Sequence, residues 1–222
     1  MIEVFKDIFS AETIAWFKAD LEATINIDPE DRPFAPEDAL RLYGLKDCPL
    51  QDRRRIIKNT DPAHKHMREI LYKIIPKHVT FYMAYQRQFL PHQMHVDAVT
   101  DHTDLTYAKS AIIPLDENIN GIFKTIVWDH VMMTNENFGE FMKYFLANKD
   151  TLEKLSDTSS TQDVNHCWEG TPSIADYMLL EGVFDYELGS MGMFDRTHVH
   201  CSSNWRKYGL VDYKDIILLH IG

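Results

Sequence analysis

Eleven of the 222 residues are histidines, and several of them gather in two places. His92, His95 and His102 share one stretch, and His198 and His200 share another far downstream. The first stretch contains His95-Val96-Asp97. In an extended chain, residues i and i+2 project from the same face, so this imidazole and carboxylate can meet one metal ion without distorting the backbone. A histidine arriving from a distant segment completes a two-histidine, one-carboxylate face and leaves the remaining coordination positions open to substrates and dioxygen. A second triplet, His102-Thr103-Asp104, has the same spacing and competes for the first two positions. About one such triplet is expected by chance in a chain so rich in these residues. Counted along a strand, His198 and His200 lie on one face, so spacing alone does not choose between them.

The elements that must position these groups are of two textures. Residues 10–25 place Ile14, Phe17, Leu21 and Ile25 at spacings of three and four behind a capping serine, Ser10, which predicts an amphipathic helix. A second helix is expected over 61–75, with Met67, Ile70, Leu71 and Ile74 on one side. Between them, 27–50 reads as a long loop with a short helix at 36–43. From Val79 onward, β-branched and aromatic residues collect in short runs, and strands are expected at 79–85, 111–115, 123–128, 189–194 and 215–221. The segment 129–185 reads as a helical insertion, with Phe138, Phe141, Met142 and Phe145 on one face and a polar loop at 156–163. The expectation is one domain, 1–222, mainly β with helical decoration: N-terminal helical support at 1–78, a β core at 79–128 and 186–222, and the insertion at 129–185.

Composition narrows the function classes. A hydrophobic content of 45% suffices for a substantial core, and a formal net charge of −11 argues against a protein that wraps phosphate backbone. The one basic run, Asp52-Arg53-Arg54-Arg55, lacks interleaved aromatics and is read as a solvated helical face. Cys48, Cys167 and Cys201 form no CxxC pair, so neither a disulfide framework nor a zinc ribbon is indicated. With no apolar run of about 18 residues, the chain is expected to be soluble and cytoplasmic, without a membrane partner.

The surroundings of the histidines carry a resemblance. Tyr85 stands ten residues before His95, the apolar run of Ser110 to Leu115 ends in a turn at Asp116, and the late segment reads Gly189-Ser-Met-Gly-Met-Phe-Asp-Arg-Thr-His-Val-His-Cys-Ser-Ser-Asn-Trp205. This arrangement resembles the iron(II)/2-oxoglutarate-dependent dioxygenase superfamily. It is closest to the prolyl-hydroxylase-like branch, including phage-encoded members in which the distal histidine opens a His-Cys-Ser-x-Asn-aromatic stretch.

The resemblance implies a double-stranded β-helix of jelly-roll or cupin-like type, with iron(II) held by His95, Asp97 and His200. It implies 2-oxoglutarate and dioxygen as co-substrates, and decarboxylation to succinate coupled to hydroxylation. Lys214, at the start of the last strand, is the implied partner of the far carboxylate of 2-oxoglutarate; Arg206, Lys109 and Lys124 are its rivals, and Tyr85 is a further co-substrate contact. Because Asp97 occupies the carboxylate position, the site resembles a hydroxylase more than a halogenase. The alternative is a non-catalytic cupin-like module that binds a metal or small ligand. The substrate is expected to be a small molecule or a side chain, and the insertion is open to a role as lid, homodimer contact or elaboration.

Overall fold

A computed structural model of the chain describes residues 1–26, 30–33, 51–92, 94–97, 108–131, 135–155 and 174–222. The expected short helix at 36–43, the rival triplet His102 and Asp104, and the polar loop at 156–163 lie outside the described residues. Ten strands are described: β1 (Glu3–Phe5), β2 (Glu30–Pro33), β3 (Gln51–Ile57), β4 (Phe81–Gln88), β5 (Lys109–Pro114), β6 (Lys124–Val131), β7 (Leu180–Asp185), β8 (Met191–Asp195), β9 (His198–Ser202) and β10 (Lys214–Ile221). The helices are α1 (Ala11–Thr24), α2 (Pro62–Leu71) and α3 (Asn135–Asn148).

The strands form two antiparallel sheets, one of seven in the order β1-β8-β5-β10-β4-β3-β2 and one of three in the order β7-β6-β9. β10 runs through the middle of the large sheet, paired with β4 on one side and β5 on the other. Its run Ile216-Ile217-Leu218-Leu219 is continuously apolar because both faces are covered. Ile217, Leu219 and Ile221 pack with α1 and α2 through Phe17, Leu21, Met67 and Leu71. Ile216 and Leu218 pack the other way, with Ile112, Phe194, Phe123, Val127 and Phe184, in the core between the two sheets. A third cluster joins Ile126, Trp128, Val199 and Cys201 of the small sheet to Met142 and Phe145 of α3. The order of layers is therefore helices, large sheet, small sheet, helix. Gly192 of β8 permits the close approach of the sheets, since a Cβ there would lie 2.5 Å from the Phe184 ring.

α1 starts where the sequence places it, with the Ser10 hydroxyl accepting from the Thr13 N–H at 3.2 Å. Several regions differ from the sequence reading, and two of them, β1 and β9, are strands it did not expect. The basic run is strand β3, not a helical face, and its alternate arginines therefore point to opposite sides. Glu30–Pro33, expected in a loop, pairs with β3. The expected helical insertion ends in strand β7, which lies antiparallel to β6 with a register shift at Val127/Trp128. Among the described residues, no helix is long and apolar enough to cross a membrane.

Candidate metal centre

His95 lies just after the turn that follows β4, and its backbone forms an isolated bridge with His200 of β9. The two residues exchange N–H···O hydrogen bonds, each 3.0 Å long. Two positions on, the Asp97 N–H donates to the Arg196 carbonyl at 3.0 Å. The pair of histidines and the carboxylate are thereby fixed by main-chain bonds across two segments that are far apart in sequence. His95 Nε2 lies 3.6 Å from Asp97 Oδ1, and His200 Nε2 lies 3.4 Å from Asp97 Oδ2. One ligand atom from each residue falls within 4.8 Å of the others.

The donor atoms suit a divalent metal. The Nδ1 of His200 lies 3.0 Å from the carbonyl of His198; as an Nδ1–H donor there, it leaves Nε2 with a free lone pair. Asp97 is held by the Ser110 hydroxyl, which donates to Oδ2 at 2.7 Å, while Ser110 Oγ lies 3.1 Å from His220 Nδ1. Burial alone would push the Asp97 carboxyl up, but the neighbouring His200 and His95 bring it well below the ordinary carboxylate value. Burial lowers His200 to about 4, which keeps its imidazole neutral. Both states are those a metal ligand requires. Phe194 packs on the His200 ring at 4.7 Å, and His200 is 5% exposed against 31% for His95, so the centre opens on the His95 side.

Lys214 is nearby and fully buried. Its ammonium donates to the Ser202 hydroxyl at 3.2 Å and to the Tyr186 hydroxyl at 3.3 Å. Ser202 stands two residues beyond His200 on β9, hence on the same face and about 7 Å along it. Among the described residues no carboxylate pairs with Lys214, and burial lowers its pKa to about 7. The rivals are engaged elsewhere: Lys109 with Asp195 at 3.0 Å, Lys124 with Asp185 at 3.4 Å, and Arg206 with the Val211 carbonyl at 2.8 Å and Asp212 at 3.4 Å.

Tyr85 does not join the group. It sits on the helix-facing side of β4, buried in the cluster of α1 and α2, and donates to Asp20 at 2.9 Å. The bend at Phe89 and Leu90 interrupts the alternation between β4 and His95, so Tyr85 and His95 do not share a face. His198, the alternative third histidine, turns its Nδ1 to Glu181 and forms a separate group with Asp129 and Glu181. Sequence reasoning passed over Ser110, His220 and the pair His92–Asp52, whose Nε2–Oδ2 distance is 2.8 Å. Ser110 carried one signal: it is a small polar residue at the head of an apolar run that reads as a strand.

No protein-family model and no curated protein sequence matches the chain. Solved structures do resemble it. The non-haem alpha-ketoglutarate-dependent epimerase SnoN of nogalamycin biosynthesis matches with a TM-score of 0.54 at 9% identity, over 99% of this chain and 78% of its own. A 2OG-Fe(II) oxygenase family oxidoreductase from Burkholderia pseudomallei gives 0.51 at 12% identity, over 100% and 85%. A prolyl-4-hydroxylase from Pseudomonas putida gives 0.51 at 10% identity, over 99% and 91%. The fold of this chain is that of the iron(II)/2-oxoglutarate oxygenase superfamily.

Proposed function

We propose that the protein is an iron(II)- and 2-oxoglutarate-dependent dioxygenase of hydroxylase type, near the prolyl-hydroxylase-like and phage-encoded branch, with its two sheets forming a double-stranded β-helix. The observation that carries this reading is the meeting of His95, Asp97 and His200 within 4.8 Å, together with the buried Lys214, which among the described residues meets two hydroxyls and no carboxylate. Two neutral imidazoles and one carboxylate on one side of an ion are the donor set of non-haem iron(II) sites with open positions. Iron(II) supplies dioxygen chemistry when bound, and 2-oxoglutarate supplies two electrons and leaves as succinate and carbon dioxide.

The chain's own contribution is positional and electrostatic. Ser110 holds Asp97 so that its carboxylate meets the ion in one orientation, and the His198 carbonyl does the same for His200. Lys214 holds the far carboxylate of the co-substrate, with the Tyr186 and Ser202 hydroxyls beside it. The spacing of His200 and Ser202 along β9 is of the order of the length of a five-carbon dicarboxylate. A dianion arriving there meets the charge that Lys214 lacks a partner for, and each hydrogen bond between them is charge-assisted. Phe194 shields the buried side of the centre, while the exposed edge of His95 faces the primary substrate. That substrate is a small molecule or a protein side chain, since a net charge of −11 disfavours nucleic acid.

The test is succinate formation from 2-oxoglutarate by iron-loaded protein without any primary substrate, followed by NMR. Wild type is expected to produce succinate slowly, and His200→Ala and Asp97→Ala to produce none. Manganese binding without any succinate from the iron form would instead identify the cupin-like binding module.

A further inference from the structure

The Ser110 hydroxyl that orients Asp97 is itself oriented. His220 of β10 stands directly opposite Ser110 of β5 on one side and Tyr82 of β4 on the other. Directly opposed residues of antiparallel strands send their side chains to one face, with Cβ atoms about 5 Å apart, so ring and hydroxyl can meet without distorting the sheet. They do meet. His220 Nδ1 lies 3.1 Å from Ser110 Oγ, which in turn lies 2.7 Å from Asp97 Oδ2. On the other side the Tyr82 ring stacks on the imidazole, with centroids 5.6 Å and planes 20° apart. Tyr82 is gripped by Arg54 of β3, whose Nη2 donates to its hydroxyl at 2.8 Å and whose guanidinium lies 5.3 Å over its ring.

The direction of these bonds follows from counting protons. A serine hydroxyl has a single proton to donate, and a carboxylate only accepts. The Ser110 proton therefore points at Asp97, and lone pairs alone face His220. Nδ1 of His220 must then carry a proton and donate, because two acceptors at 3.1 Å would repel. The donors run one way, from His220 to Ser110 and from Ser110 to Asp97. Each bond polarises the next, and the bond from His220 fixes a hydroxyl rotor that would otherwise turn among its staggered positions. Ser110 is fully buried, so bulk water does not compete for its oxygen.

We propose that His220 is a positioning residue of the metal centre: its Nδ1–H sets the Ser110 hydroxyl and, through it, the orientation in which the Asp97 carboxylate meets the ion. The stack of Arg54 and Tyr82 keeps that N–H in line with Ser110. The chain of contacts crosses β3, β4, β10 and β5 on one face of the large sheet, so the pairing of these strands is what aims the ligand. The assignment rests on the reading of His95, Asp97 and His200 as metal ligands, whereas the bond from His220 to Ser110 does not depend on it.

The tautomer is read first, by long-range nitrogen–proton NMR of metal-free protein labelled at the histidine nitrogens. His220 is expected to carry a proton on Nδ1 in wild type and to lose that preference in Ser110→Ala. A His220 protonated on Nε2 alone overturns the proposal. Manganese(II) affinity is then measured by spin-resonance titration. His220→Phe keeps a ring against Tyr82 but has no N–H, and is expected to weaken binding on the order of 3–10-fold. His220→Asn presents an N–H where the ring carries Nδ1, and is expected to recover most of that loss. In the Ser110→Ala background His220→Phe is expected to add no further loss, since its route to Asp97 is gone. Unchanged affinity in His220→Phe, no recovery in His220→Asn, or equal losses with and without Ser110 overturns the proposal. Wild type that takes up no manganese overturns the ligand reading instead, and the tautomer, measured without metal, still decides whether His220 sets Ser110.

Discussion

On the helix-facing side of the large sheet, Tyr85 donates to Asp20, Arg87 donates to both oxygens of Asp215 and to Glu22, and Lys18 reaches from α1 to Asp116 and Asp215. On the concave side, the immediate neighbours of Tyr85, Arg87 and Asp215 along the same strands are Gln86, Gln88 and Lys214; the Lys214 ammonium meets only hydroxyls there and the Gln88 Oε1 has no donor. One pair of adjacent residues shows the contrast most sharply. Asp215 is fully buried between two cations, while Lys214 is fully buried beside two hydroxyls. Burial lowers the pKa of both Lys18 and Lys214 by itself, but Asp116 and Asp215 more than reverse it for Lys18, whereas Asp52, Cys201 and Asp116 only partly offset it for Lys214. The helix-side polar groups are closed on one another; on the proposed reading, those of the concave side are left open to a ligand.

Substitutions on the two faces should therefore separate stability from binding. The largest effect is expected from Asp215→Ala, which removes the buried anion that Lys18 and Arg87 share and leaves them only Asp116 and Glu22; unfolding in urea should show a loss of about 3–5 kcal/mol, with manganese affinity at 25 °C unchanged. Lys214→Met should do the opposite. It removes an uncompensated buried cation, so the metal-free protein gains on the order of 1–4 kcal/mol, while 2-oxoglutarate binding falls ~10–100-fold.

The pH dependence of both properties follows from the lowered pKa of Lys214, about 7 in the folded chain against 10.5 in a free lysine. Between those values the unfolded chain binds the extra proton, so stability rises with pH across that window, and the gain from Lys214→Met is largest below pH 7 and fades toward 10.5. Co-substrate affinity moves the other way: calorimetry should show it falling as pH rises through about 7, because the ammonium must regain its proton to hold the dianion. A flat profile for wild type would remove Lys214 from the co-substrate site.

Smaller effects sharpen the same contrast. Ser110→Ala removes the hydroxyl that orients Asp97, and manganese affinity should drop ~10–100-fold in a spin-resonance titration. Tyr85→Phe breaks one hydrogen bond on the helix side and should lower stability by about 1 kcal/mol with no change in succinate formation. A loss of succinate formation in that variant would return Tyr85 to the co-substrate.

The parts of this arrangement that were legible in the sequence are those governed by local period. The two amphipathic helices, the run of β10 and the i, i+2 geometry of His95 and Asp97 depend on neighbours along the chain. The errors fall where the answer depends on what lies across a sheet. Arg53, Arg54 and Arg55 look like a solvated face until β4 pairs with them and sends one of the three inward. Leu180–Asp185 has little strand character of its own and is held as a strand by its pairing with β6. Tyr85, a co-substrate contact by resemblance alone, lies on the helix side of β4, which its distance along the chain from His95 does not disclose. Ser110 is unremarkable as a residue type, and only the crossing of Asp97 over β5 gives it a carboxylate to hold.

The bridge between His95 and His200 has a consequence for how the protein meets its metal. Two reciprocal main-chain bonds set the distance between the imidazoles, so the chain loses the entropy of bringing its ligands together when it folds and not when the ion arrives. Ion and fold are then coupled by simple mass action: a chelator withdraws the stabilisation RT ln(1 + [M]/Kd) and leaves a native chain behind, ready to reload. On the iron(II) reading proposed above, the centre would therefore load and unload without cycles of unfolding.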